Sequence, residues 1–114
     1  MATPSSVVRA SGGLTTTNAQ IKVACGFKPA HVQIINQAQG ATFTWNAGMP
    51  SDSGLRISGS ANGSQFVTTS GIKVFDDSTG QGFTIEPIVS INNNTLAQNL
   101  YWSAFRGDGS PGNL

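Results

Sequence analysis

Short runs of strict two-residue alternation, each ended by a turn signal within about eight to twelve residues, constrain this chain more than any other feature. Ile21, Val23 and Cys25 share one side of an extended segment, with Lys22 and Ala24 on the other. Over His31 to Asn36, Val32 and Ile34 face one way, and His31, Gln33 and Ile35 the other. Ala41 to Asn46 sets Phe43 and Trp45 against Thr42 and Thr44, and the Gln39-Gly40 turn between these two segments predicts a hairpin. Leu55 to Ser60 and Ser64 to Thr69 flank Asn62-Gly63, a pair suited to the positive φ angles of a type I′ turn. Further short strands are expected at Ile72 to Phe75, Phe83 to Ile85, Ile88 to Ile91 and Leu100 to Arg106, the last two joined through Asn92-Asn93-Asn94.

No window keeps a helical apolar period without Gly, Pro or a β-branched run interrupting it. The prediction is therefore all-β: a single antiparallel β-sandwich or jelly-roll-like domain over residues 19–106. Val23, Val32, Ile34, Phe43, Val67 and Phe83 are expected in its core. Residues 1–18 have only Val7, Val8 and Leu14 to bury, and read as an extended N-terminal arm that orders on contact. The Gly-rich stretch 107–114 reads as a flexible tail.

Charged residues make up 10% of the chain, against about 25% in an average soluble domain. Neutral polar residues take their place: 13 Ser, 11 Thr, 9 Asn and 7 Gln. A formal net charge of +1 excludes a strongly basic nucleic-acid surface and an acidic tail, so no nucleic-acid partner is expected. The single Cys25 excludes an intrachain disulfide framework and a multi-cysteine zinc site. No apolar run is long enough for a membrane helix, and Met1 to Ser6 lacks the layout of a signal peptide. The expectation is a protein made in the cytoplasm with no membrane partner.

Few groups could carry catalysis. Cys25 and His31 are close enough in sequence to form a pair on neighbouring strands. A thiolate nucleophile also needs an oxyanion hole and a cleft, for which nothing in the sequence argues. Asp76-Asp77-Ser78-Thr79-Gly80 lacks the oxygen count and spacing of a calcium loop and reads as a turn closed by Asp side chains. No catalytic, cofactor-binding or metal-ligating residue is assigned, and the chain is not expected to be an enzyme. The aromatics say more. Tyr101 and Trp102 are consecutive in a strand, so one faces outward, where an aromatic is an interface, a sugar-stacking platform or an ordinary partly covered surface ring.

The order Lys28-Pro29-Ala30-His31-Val32-Gln33-Ile34-Ile35-Asn36, then Thr44-Trp45 leading to Gly48-Met49-Pro50, resembles small virion proteins of tailed phages. Thr69-Ser70-Gly71-Ile72, Gly82-Phe83-Thr84-Ile85 and Tyr101-Trp102-Ser103-Ala104-Phe105-Arg106 follow in the same order. The members it looks most like are head decoration, or cement, proteins, which bind the outside of an assembled capsid. In that pattern the Gly-Phe-Thr-Ile segment continues into Gly and an acidic residue; here Glu86-Pro87 follows, and a bend or bulge is expected. The resemblance implies a structural protein of the virion exterior whose partner is the major capsid protein, and a homo-oligomer, a trimer above all. Val7, Val8 and Leu14 on the arm, with Trp45, Tyr101 and Trp102, are its expected interface residues. The alternative is a carbohydrate-binding or host-attachment module of a tail or fibre, in which Trp45 or Trp102 stacks on a sugar.

Overall fold

The computed structural model describes residues 9–58, 64–88, 91–92 and 97–106. They form eight strands: β1 (Arg9–Thr15), β2 (Ile21–Ala24), β3 (Pro29–Asn36), β4 (Ala41–Asn46), β5 (Ser53–Ser58), β6 (Ser64–Asp77), β7 (Gly80–Ile85) and β8 (Asn99–Arg106). There is no helix among the described residues, and every strand pairing is antiparallel. The predicted all-β class stands. The strands lie in one continuous order, β1-β8-β3-β4-β5-β6-β7-β2, and not in two separate sheets. Alternation shows that one side of each strand is inward; it does not show whether a second sheet or the same sheet folded over covers that side.

Here the sheet covers itself. Phe83 of β7 packs its ring against Trp102 of β8 at 5.4 Å and 70°, although β7 and β8 stand five places apart in the strand order. The corner that allows this lies in β6. Its first residues pair with β5 as far as Val67 opposite Gly54, and the next pairing is Ile72 opposite Ser53. Residues 68–71 are thus extra on one strand, and Ser70 takes a φ of 60° among them. Asp52, itself at a φ of 70°, holds the corner: its carbonyl and carboxylate oxygens both accept from Gly71 N at 3.0 Å. The second half of β6 then runs along β7.

The curl encloses Val32, Ile34, Phe43, Trp45, Ile72, Phe83, Ile85, Ile88, Ile91 and Leu100, all buried. Of the expected core, Val23, Val32, Ile34, Phe43 and Phe83 are buried, while Val67 is partly buried against them. Trp102 also lies inward, over Gly12 of β1. A Cβ built on Gly12 would sit 2.9 Å from the indole nitrogen, so glycine there makes room for the ring.

Three elements differ from expectation. The run Ile72 to Phe75 continues the strand that begins at Ser64 instead of standing alone. Ile88 and Ile91 are buried but not strand: the Ile88 carbonyl accepts from both Ile91 N and Asn92 N, while Val89 and Ser90 of the same expected strand lie outside the described residues. Residues 9–15, expected within the arm, pair with β8 along their whole length as an edge strand. Val7, Val8 and Leu14 offer little apolar surface to residues 1–18, but a strand also gains its ladder hydrogen bonds and the cover of Trp102. Val7, Val8, the Asn62-Gly63 turn and the stretch 107–114 lie outside the described residues. Pro87 follows the end of β7, where no ladder bond is asked of it.

One end of the sheet is fastened by buried amides. Asn36 Nδ2 donates to Ile91 O at 2.9 Å, and its Oδ1 accepts from Gln39 N at 3.0 Å. Asn92 holds the link between β1 and β2: Oδ1 accepts from Thr17 N at 2.9 Å and Asn18 N at 3.3 Å, and Nδ2 donates to Ala19 O at 2.8 Å. Both asparagines are fully buried.

Candidate functional site

The side of the sheet turned away from the core has an unusual composition. The ladder registers place residues in rows that cross β1, β8, β3, β4, β5 and the first part of β6. One row reads Gly13, Tyr101, Ile35, Thr42, Ile57, Ser64. The next reads Ser11, Ser103, Gln33, Thr44, Leu55, Phe66. A third, shorter row holds Arg9, Phe105, His31 and Asn46. All of these side chains share one face, because residues opposite each other in a ladder project to the same side.

Five large hydrophobic residues are exposed among the described residues: Ile35 (41%), Ile57 (46%), Phe66 (47%), Tyr101 (47%) and Phe105 (39%). Every one of them is in these rows. Between them stand Thr, Ser, Gln and Asn. No carboxylate occurs in the rows, and the one permanent charge is Arg9 at the edge. The His31 ring meets Phe105 edge-on at 5.6 Å. The Tyr101 hydroxyl donates to Gln37 Oε1 at 3.1 Å, so the ring is held by its rim with its body exposed. At a strand spacing of about 4.8 Å and a two-residue rise of about 6.8 Å, the face covers about 500 Å². The charged groups of the other half of the sheet lie elsewhere: Lys22 pairs with Asp77 at 3.6 Å and sits 4.4 Å from the Phe75 ring centroid.

Scattered apolar residues are ordinary on a protein surface; their concentration on one neutral face is not. Such a face can bury area against another macromolecule with little desolvation of charge. The expected site residues divide around it. Tyr101 is on the face. Trp102 is inward and partly buried, Trp45 is buried with its indole N–H donating to Pro50 O at 3.2 Å, and Leu14 is inward opposite Leu100. The sugar-stacking role considered for Trp45 or Trp102 therefore has no outward indole to use. Ile35, Ile57, Phe66 and Phe105 are not among the expected interface residues, although alternation sets Ile35 and Phe105 opposite to Ile34 and Ala104 of the core, and Phe66 opposite to Val67 packed against it; Ile57 stands between buried Arg56 and Ser58.

Cys25 and His31 go to different partners. Cys25 Sγ donates to Phe27 O at 3.3 Å, and burial pushes its thiol above the ordinary cysteine range. In the Asp76–Gly80 stretch, Asp77 Oδ1 accepts from Thr79 N at 2.8 Å and from the Thr79 hydroxyl, the turn expected there. No family model matches the chain, and neither a curated protein nor a solved structure does.

Proposed function

We propose that this protein is a structural virion component that binds the outside of an assembled phage capsid and cements neighbouring major capsid subunits. The observation that carries the reading is the neutral outer face, on which Ile35, Ile57, Phe66, Tyr101 and Phe105 are all exposed together. It supports a broad, uncharged protein contact, in keeping with the resemblance to decoration proteins. The curled sheet serves as the jelly-roll-like body that presents this face. The mechanism is passive: a folded protein that binds only the assembled shell stabilises it by mass action against expansion or rupture. Several such contacts acting together add avidity without any strong single one.

The test is co-sedimentation of the full chain with mature capsids at low and moderate salt. Saturable binding that changes little with salt is expected, because almost no charge on the face is available to be screened. Tyr101→Ser combined with Ile57→Ser should weaken binding at least tenfold while the fold is retained. Binding that collapses with salt, or that ignores the double substitution, would refute the reading. The carbohydrate alternative keeps one observation in its favour, the exposed Tyr101 ring beside the Gln37 and Asn99 amides. A glycan array on the same preparation decides it.

A further inference from the structure

The same sheet ends, on the β1 side, in an edge that nothing among the described residues covers. Its hydrogen-bonding phase can be read from the residues that follow it. Thr16 N donates to Gln98 O, so the even-numbered residues Ala10, Gly12 and Leu14 direct their backbone groups toward β8. The odd-numbered residues Arg9, Ser11, Gly13 and Thr15 therefore direct theirs to the free edge. Those four donors and four acceptors are evenly spaced along a seven-residue strand. Edge strands in monomers are ordinarily blunted by proline, a bulge, central charge or brevity. β1 is paired in unbroken register, contains no proline, and carries its only charge at one end.

We infer that β1 is a self-association edge, pairing antiparallel with β1 of a second copy about a two-fold axis at Gly12. Three features fit this occupant. The first is phase: centring on Gly12 sets Arg9 opposite Thr15 and Ser11 opposite Gly13, all odd-numbered, so every outward N–H meets an outward C=O. The second is charge: the two Arg9 side chains lie at opposite ends of the new ladder, each beside a threonine. The third is the inner face, where Leu14 meets Ala10 of the second copy and the two small Gly12 residues meet at the axis under their Trp102 rings. Because paired residues project to the same side, the two outer faces become one. About 500 Å² per copy falls short of the roughly 800 Å² each partner commonly gives to a specific interface; two contiguous faces exceed it. This inference rests on the capsid-binding reading only for its purpose, not for its geometry. It places two-fold pairing where the resemblance implied a trimer.

The experiment is sedimentation equilibrium of the full chain from about 1 to 100 μM, without capsid. The expected result is a monomer–dimer equilibrium, with a concentration-dependent change in tryptophan emission as Trp102 loses solvent. Ser11→Pro removes an outward N–H while leaving the β8 ladder its own donors, and should raise the dissociation constant at least tenfold. Gly13→Lys, whose Cβ would come no nearer than 3.7 Å to Leu100 O and the Tyr101 ring, should do the same by setting like charges beside the axis, and it decides the matter if the proline variant does not fold. A chain that stays monomeric throughout, a trimer, or a dimer indifferent to a folded variant would each overturn the inference. Capsid binding is scored separately. A dimer that ignores capsids refutes the proposed function alone, and a monomer that binds them refutes only the pairing.

Discussion

Replacing Asn92 by alanine tests whether a single buried amide fastens β1 and β2 together. Its side chain makes three hydrogen bonds to the link between these strands, at 2.9, 3.3 and 2.8 Å. Each is worth about 1 kcal/mol net, the 3.3 Å bond somewhat less. Thr17, Asn18 and Ala19 are exposed, so water can take over their backbone groups and the full cost of stranding them does not arise. Asn92 itself has no exposed surface, and truncation leaves a void of about 25 Å³, adding about 0.6 kcal/mol. The sum is about 3 kcal/mol, or about 10–15 °C in melting temperature for a domain of this size. The assay is urea denaturation at fixed protein concentration, with Asn99→Ala as a control. Asn99 is exposed and bonds Gln37 only at 3.5 Å, so its loss should cost less than about 0.5 kcal/mol. If Asn92→Ala lies within about 1 kcal/mol of the parent at an unchanged urea slope, the link is not held as argued.

Adjacent glycines in β1 should respond with opposite sign. Gly12→Ala forces the Trp102 ring aside and should cost about 1–3 kcal/mol, whereas Gly13→Ala, with nothing nearer than 3.7 Å, should be neutral or stabilising by up to about 1 kcal/mol; equal melting temperatures would contradict this. Gly82→Ala should detach β2, since the new Cβ would meet the Val23 carbonyl oxygen; an unchanged hydrogen-exchange pattern over Ile21–Ala24 would show otherwise. Burial raises the Cys25 thiol, so the native protein should alkylate more slowly than the unfolded chain at neutral pH. The stability linked to it is complete below the unfolded thiol's range and is lost as pH rises through the folded value; equal alkylation rates would count against it. Hydrogen bonds from the Thr79 side chain and backbone, with Lys22 adding attraction, hold the Asp77 carboxyl below its usual range. Its contribution is present above the unfolded value and lost as pH falls through the folded one. In an NMR titration Thr79→Ala should move the Asp77 midpoint upward, and no movement would refute the assignment.

Alternation alone determined that this chain is all-β, and it located most of the strands. It also determined sidedness. Val32 and Ile34 had to oppose His31, Gln33 and Ile35, and Tyr101 had to oppose Trp102, because consecutive side chains on a strand cannot share a face. What alternation could not decide was which strands are neighbours, since any inward face looks the same whether a second sheet or a folded-over part of the same one covers it. The strand order, the corner at 68–71 and the contact of Phe83 with Trp102 arise from long-range pairing and appear only in the tertiary structure.

The neutral face shows the same division. Ile35 reads as outward from its own strand, yet alone it is an ordinary exposed side chain. The register between β3 and β8, strands distant in sequence, brings Ile35 opposite Tyr101, the register of the consecutive β5 and β6 brings Leu55 opposite Phe66, and together they turn scattered residues into one surface. β1 is the clearest case. Its letters, two glycines among Arg, Ala, Ser, Leu and Thr, carry almost no local strand preference. It is a strand because β8 offers a complete ladder and Trp102 covers Gly12, and both are supplied by residues about ninety positions away.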